Sequence, residues 1–144
     1  MRVFFDTSVL VAAMVASHPS HLLALLRLQK IKDGTDQGVV AAHSVAELYA
    51  ILTRLPVQPR ITSAIAQQLI KHNVLDVCEV VALSNQDYAT LVDHLADLGI
   101  IGGATYDALI LHAAAAVNVD QVLTLNEKDF RRVYLSLAAK IATP

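Results

Sequence analysis

The chain has 144 residues, with 11 Lys and Arg against 13 Asp and Glu for a formal charge of −2, and it is 55% hydrophobic but only 17% charged. That balance excludes intrinsic disorder, points to one domain (residues 1–144) with a sizeable core, and excludes a general electrostatic attraction for a polyanion. No stretch reaches the roughly 18 to 20 uncharged apolar residues needed to cross a bilayer, so no membrane partner is expected. Asp6 and Thr7 interrupt the apolar run after Arg2 that would otherwise resemble a signal peptide. The mean hydropathy of +0.50 is high for so small a domain and suggests an oligomer or a covering partner helix. Cys78, the single cysteine, allows no intrachain disulfide and sits in an apolar run where a buried thiol packs as a small hydrophobe; a cytoplasmic location is expected from it.

Arg2-Val3-Phe4-Phe5 is a β-prone run that meets the capping residues Asp6-Thr7-Ser8 before a helix-compatible Val9 to Ala16. Pro19 and Ser20 open a second helix through Leu28 that ends in Lys30, Lys32 and the turn residues Asp33-Gly34. Gly38 to Ala42 predicts the second strand, and Ser44 is expected to cap a third helix running to about Leu55. A helix follows from Ile61 to about His72, then a strand from Val77 to Leu83 that ends at the turn and N-cap signal Ser84-Asn85. Leu91, Val92, Leu95 and Leu98 keep helical spacing up to Gly99. Gly102-Gly103 leads into a helix from about Thr105 to Val117, and Gln121 to Thr124 predicts a fourth strand. The tail from Tyr134 to Pro144 reads equally as short strand or helix. This rhythm predicts an α/β fold, a central parallel sheet of four to five strands flanked by helices.

Asp6, Asn126 and Asp129 come just after the ends of predicted strands, and Glu47 lies one turn into a helix that follows a strand. Groups beyond the carboxyl ends of parallel strands gather in one crevice, which Asp107, at the start of its helix, also reaches on this reading. Each residue has an ordinary explanation as well. Asp6, Asn126 and Asp129 serve as caps, Glu47 completes a Ser44-Val45-Ala46-Glu47 capping box, and Asp107 complements a helix dipole. Yet Glu47 and Asp107 stand on largely apolar helices, and a carboxylate turned inward needs a partner. Two carboxylates ~5 Å apart repel by about 3 kcal/mol at an effective dielectric of about 20, so a converging cluster calls for a cation. Hard oxygen ligands without Cys or paired His select Mg²⁺ or Mn²⁺, and an Mg²⁺ that keeps several waters suits phosphodiester substrates.

Phe4-Phe5-Asp6-Thr7-Ser8, Ala46-Glu47-Leu48, Thr105-Tyr106-Asp107-Ala108-Leu109-Ile110 and Leu123-Thr124-Leu125-Asn126-Glu127-Lys128-Asp129-Phe130 together resemble the four motifs of the PIN-domain ribonucleases. The likeness is greatest to the VapC-type toxins of toxin–antitoxin pairs, and it spans nearly the whole chain in the right order. It implies a PIN-like domain in which Asp6, Glu47 and Asp107 are catalytic, metal-binding carboxylates. Asp129 is implied as the fourth acid, with Asn126 as a neutral ligand or water-positioner, and Thr7 and Thr124 as supporting hydroxyls. The implied reaction is Mg²⁺- or Mn²⁺-dependent hydrolysis of RNA, leaving a 5′-phosphate and a 3′-hydroxyl. The implied partners are an RNA substrate, a cognate antitoxin protein and a second copy of the chain in a homodimer.

With a net charge of −2, RNA contact must come from local patches. Lys128, Arg131 and Arg132 flank the fourth motif, and Arg54 and Arg60 bracket the end of the Glu47 helix. Each is equally readable as part of a solvated face. With no Trp and 5% aromatics, recognition by backbone and RNA shape is expected over extensive base stacking. His18 and His21 lack a second pair in zinc spacing, and His43 borders the expected pocket. Two other readings compete. A receiver-type phosphoacceptor domain also gathers acids around Mg²⁺, but wants adjacent acids after the first strand and an Asp after the third, where Ser84-Asn85 stands. A PIN fold retained as a non-cleaving RNA- or partner-binding module is the other.

Overall fold

The computed structural model describes all residues, 1–144. Five parallel strands form one sheet: β1 (Arg2–Phe5), β2 (Gln37–Ala41), β3 (Cys78–Val81), β4 (Gln121–Leu123) and β5 (Ile141–Ala142), in the order β3-β2-β1-β4-β5. Helices α1 (Thr7–Met14), α2 (His21–Lys32), α3 (Ala42–Leu52) and α4 (Ser63–Ile70) precede β3, and α5 (Asn85–Leu98), α6 (Ala104–Ala116) and α7 (Glu127–Val133) follow it. No helix is long and apolar enough to cross a membrane.

Strand alternation divides the core in two. Val3 and Phe5 of β1, with Val40 and Leu123, face α1 to α4, while Phe4, Val39, Ala41 and Val122 face α5 to α7. Both sheet faces are therefore covered, which is why these strands read as continuous apolar runs rather than alternating ones. From β1 the chain steps outward to β2 and β3, then returns to place β4 on the opposite side of β1. The order reverses between β1 and β4, so the crevice at their carboxyl ends is the expected ligand position of an open α/β sheet.

Close pairing has a local requirement at Gly38, opposite Cys78 in the β2–β3 register. A Cβ there would lie 2.7 Å from Cys78 Sγ and 2.8 Å from Ile31 Cγ2. Cys78 itself is only partly covered, although burial pushes its thiol up to about 11.

Several boundaries differ from expectation. Ser44 does not cap α3: the helix starts at Ala42 directly from β2, and Ser44 lies fully buried inside its first turn with its Oγ unpartnered. The Ser44–Glu47 capping box is therefore absent. α3 ends at Leu52 rather than near Leu55, and α4 is confined to Ser63–Ile70, capped by Thr62 and followed by a π-helical turn over Lys71–Leu75. Ser84 does cap α5, in a reciprocal box with Asp87. The tail holds both alternatives, a 3₁₀ segment over Leu135–Lys140 and then the edge strand β5.

Candidate active site

Asp6 leaves the end of β1 and is 6% exposed. It stands at the N-cap position of α1, but its side chain makes no cap bond. Instead its Oδ2 accepts from Ser8 Oγ at 2.6 Å and from Thr124 Oγ1 at 2.9 Å. Those hydroxyls are held in turn, Ser8 Oγ by the Leu125 amide and Thr124 Oγ1 by the Asn126 amide, each at 3.0 Å. The carboxylate thus stitches the end of β1 to the loop after β4, across the point where strand order reverses. Burial pushes its pKa above the ordinary carboxylate range; the two hydroxyl bonds oppose this and the Glu47 charge adds to it.

Asp107, in the first turn of α6, is half-buried and is pushed up to about 6. Burial is the largest cause, followed by the charges of Asp6, Asp129 and Glu47, while the Arg132 guanidinium pulls the other way. Four carboxylates from four segments therefore sense one another in the crevice. Glu47 Oε2 is bonded to His43 Nε2 at 3.0 Å one turn back on α3, and the His43 ring stacks on Tyr106. Asp129 pairs with Arg132 at 3.5 Å. Asn126 is exposed at the N-cap position of α7 and its side chain makes no cap bond, so neither it nor Asp6 is explained by capping.

Of the hydroxyls singled out in the sequence, Thr124 lies on Asp6, whereas Thr7 Oγ1 is buried without a partner. Ser8 occupies the second position on Asp6, which the sequence reading missed because Thr7 and Ser8 are indistinguishable without the α1 helix phase. His43 was placed only at the border of the pocket, although its i,i+4 spacing to Glu47 is a readable signal.

The residues present fit a hard divalent cation. Asp6 and Asp107 have no basic side chain bonded to them, the donors are carboxylate and amide oxygens, and the crowding that raises Asp107 is what a cation relieves. As they stand, no three His, Cys, Asp or Glu side chains converge closely enough to hold a metal ion together. A divalent cation here would draw the acids together or keep part of its water shell rather than enter a preformed four-ligand site.

Among the basic candidates, Arg54 shares a groove of about 330 Å³ with Glu47, Ile51 and Leu55, while Arg60 is exposed outside it. Lys128 and Arg132 are exposed on α7 beside Asp129. Arg131 is committed within the chain, to Glu127 at 2.7 Å and to the carbonyls of Ala138 and Ile141 at 2.8 and 2.7 Å, and so anchors the tail.

A sequence-family model, that of the PIN domain, matches residues 3–135. The chain belongs to the PIN-domain family. Curated relatives of this PIN domain include ribonuclease VapC40 of Mycobacterium tuberculosis, 36% identical over 129 residues that cover 89% of this chain and 87% of that protein. Ribonuclease VapC27 of the same organism is 32% identical over 110 residues, covering 76% and 74%. Among solved structures, the PIN fold here is similar to VapC20 of M. tuberculosis, described as a sarcin–ricin loop cleaving toxin. That match has a TM-score of 0.65 at 15% identity, covering 83% of this chain and 86% of that one. It is similar also to the Rickettsia felis VapBC2 complex bound to a promoter DNA fragment, with a TM-score of 0.63 at 24% identity, covering 92% and 93%. The receiver alternative is not favoured: β3 lies at the sheet edge, beyond β2, whereas a receiver places its third strand beside the first.

Proposed function

We propose that this PIN domain is a metal-dependent endoribonuclease and the toxin of a toxin–antitoxin pair, acting in the cytoplasm. The observation that carries the reading is the gathering of Asp6, Glu47, Asp107 and Asp129 at the β1–β4 crevice, where burial first and the other three charges after it push Asp107 up to about 6. Similarity to ribonucleases VapC40 and VapC27 over most of both chains supports it.

In this account Asp6, Glu47, Asp107 and Asp129 hold Mg²⁺ or Mn²⁺, with Asn126 as a neutral oxygen ligand beside them. When bound, the ion supplies Lewis acidity, which lowers the pKa of a water and offsets charge developing on the phosphoryl oxygens. Ser8 and Thr124 fix the orientation of the Asp6 carboxylate, and His43 fixes that of Glu47. The acids orient the attacking water, and no side chain acts as nucleophile. Arg132, Lys128, Arg54 and Arg60 meet the RNA backbone, while Arg131 contributes through the tail it anchors. Thr7, buried with its hydroxyl unpartnered, takes no direct part.

An antitoxin inhibits by placing a basic side chain among the carboxylates, where a guanidinium pairs with them in place of metal. A second copy covers part of the exposed apolar surface, which includes Leu98, Ile101 and Leu135. The test is cleavage of structured RNA by the purified chain. Cutting in Mg²⁺ or Mn²⁺, abolished by EDTA and by Asp6→Asn, supports the reading. Undiminished cutting in excess EDTA contradicts the metal mechanism, and RNA binding without cutting in any metal favours the non-cleaving module.

A further inference from the structure

The crevice acids are flanked by an aromatic ring, Tyr106, that hydrolysis does not use. Tyr106 immediately precedes Asp107 in the first turn of α6 and is 54% exposed. Its ring lies nearly parallel to the His43 imidazole, with centroids 5.3 Å apart and an interplanar angle of 10°. His43 is itself held at 3.0 Å by Glu47, so the pair is fixed at both ends to acids of the site. The other aromatics are placed differently. Phe4, Phe5 and Phe130 are buried in the core, Tyr134 packs against His94 and His112, and Tyr49 and Tyr88 stand on α3 and α5. One face of Tyr106 is therefore backed by imidazole while much of the ring remains open beside the crevice. The exposed Arg132 guanidinium, which pairs with Asp129 and acts on Asp107, offers charge to a phosphate.

We propose that Tyr106, backed by His43, is a stacking platform for one unpaired nucleobase adjoining the phosphate that the crevice engages. This rests on the ribonuclease reading and specifies its substrate as a single-stranded or looped RNA segment. Bases in an A-form duplex are already stacked on both faces and cannot reach a side chain, whereas unpaired bases stack on aromatic rings without strict sequence preference. A rigid platform next to a carboxylate cluster compensates for an active site that repels the backbone, because the base contact is uncharged. Tyr106 is on this account a specificity-determining residue and takes no part in the chemistry.

The test is cleavage of a randomised single-stranded oligoribonucleotide pool, with initial rates measured against concentration and the cut ends sequenced. Tyr106→Ala should raise KM by at least about fivefold with kcat little changed, and should flatten any base preference beside the cut. Tyr106→Phe keeps the ring and should retain the wild-type KM. A second measurement does not depend on turnover. A 2-aminopurine oligoribonucleotide bound to the Asp107→Asn protein should be quenched, and the quench should be lost when Tyr106→Ala is added. Wild-type KM, base preference and quenching in Tyr106→Ala overturn the platform, as does a Phe variant as impaired as the Ala variant. A wild-type chain that cuts no RNA in Mg²⁺ or Mn²⁺ removes the ribonuclease reading instead, and the quench assay then decides the platform on its own.

Discussion

Replacing Asp107 with Asn should make the metal-free protein more stable while nearly eliminating cleavage. The wild-type carboxyl is raised from 3.8 to about 6 by burial and by Asp6, Asp129 and Glu47. At roughly 1.4 kcal/mol per pH unit, the full shift corresponds to an upper limit of about 3 kcal/mol. Asp107 is only half-buried, so solvent screens part of this, and Asn still bears some of the burial cost; about 1 kcal/mol is the expected gain. For a domain of this size, that raises the melting midpoint by roughly 2 to 4 °C. The pH dependence has a definite sign. Because the folded-state pKa is raised, the folded protein binds the Asp107 proton more tightly than the unfolded chain does, so wild-type stability is lost as pH rises from 3.8 through about 6. Thermal melts in EDTA should show the mutant ahead at about pH 7.5 and the two proteins converging below about pH 4. Added Mg²⁺ should stabilise the wild type more than the mutant, since binding to the native state shifts unfolding by mass action. A mutant that melts lower than wild type in EDTA, with the same Mg²⁺ response, would remove Asp107 from the proposed metal site.

Arg132→Ala removes the one cation that lowers the Asp107 pKa, so the acid limb of the pH–activity profile should move to higher pH; an unmoved limb would place Arg132 outside the field of Asp107. Thr124→Val deletes the bond to Asp6 and strands the Asn126 amide, and should cost about 1 to 3 kcal/mol by urea denaturation, whereas loss of activity with unchanged stability would mean the hydroxyl acts only on substrate. Gly38→Ala should cost about 1 to 3 kcal/mol through overlap with Cys78 Sγ and Ile31 Cγ2, with Cys78→Ala recovering part of it; a neutral Gly38→Ala would contradict the close β2–β3 approach.

Much of the sheet was readable because β1, β2 and β4 are short β-prone runs bounded by capping or turn residues, and because a strand buried on both faces carries no polar alternation. Ser84 was readable as a cap for the same local reason, and Asp87 answers it three residues on. Ser44 misled through that same logic. A serine with Glu47 three residues later has the capping pattern, but Ala41 and Ala42 carry no boundary signal of their own, and the chain turns into helix before Ser44 is reached. β5 was not legible because two residues become a strand only by pairing with β4. At the site, strand ends located the acids, while the pairing of Asp6 with Ser8 and Thr124 spans up to 118 residues of sequence and is fixed by the β1–β4 neighbourhood alone. The stacked His43–Tyr106 pair joins α3 and α6 beside the crevice and leaves no trace in the local pattern.

Binding of a divalent cation by the crevice carboxylates is measured, without reference to any RNA, by titration of Mn²⁺ followed by the electron paramagnetic resonance of the free ion. The wild-type chain should take up Mn²⁺ competitively with Mg²⁺, and Asp6→Asn and Asp107→Asn should each weaken uptake by an order of magnitude or more while leaving the fold intact by circular dichroism. Uptake unchanged in both variants would place the ion elsewhere and show that the crevice carboxylates are not its ligands.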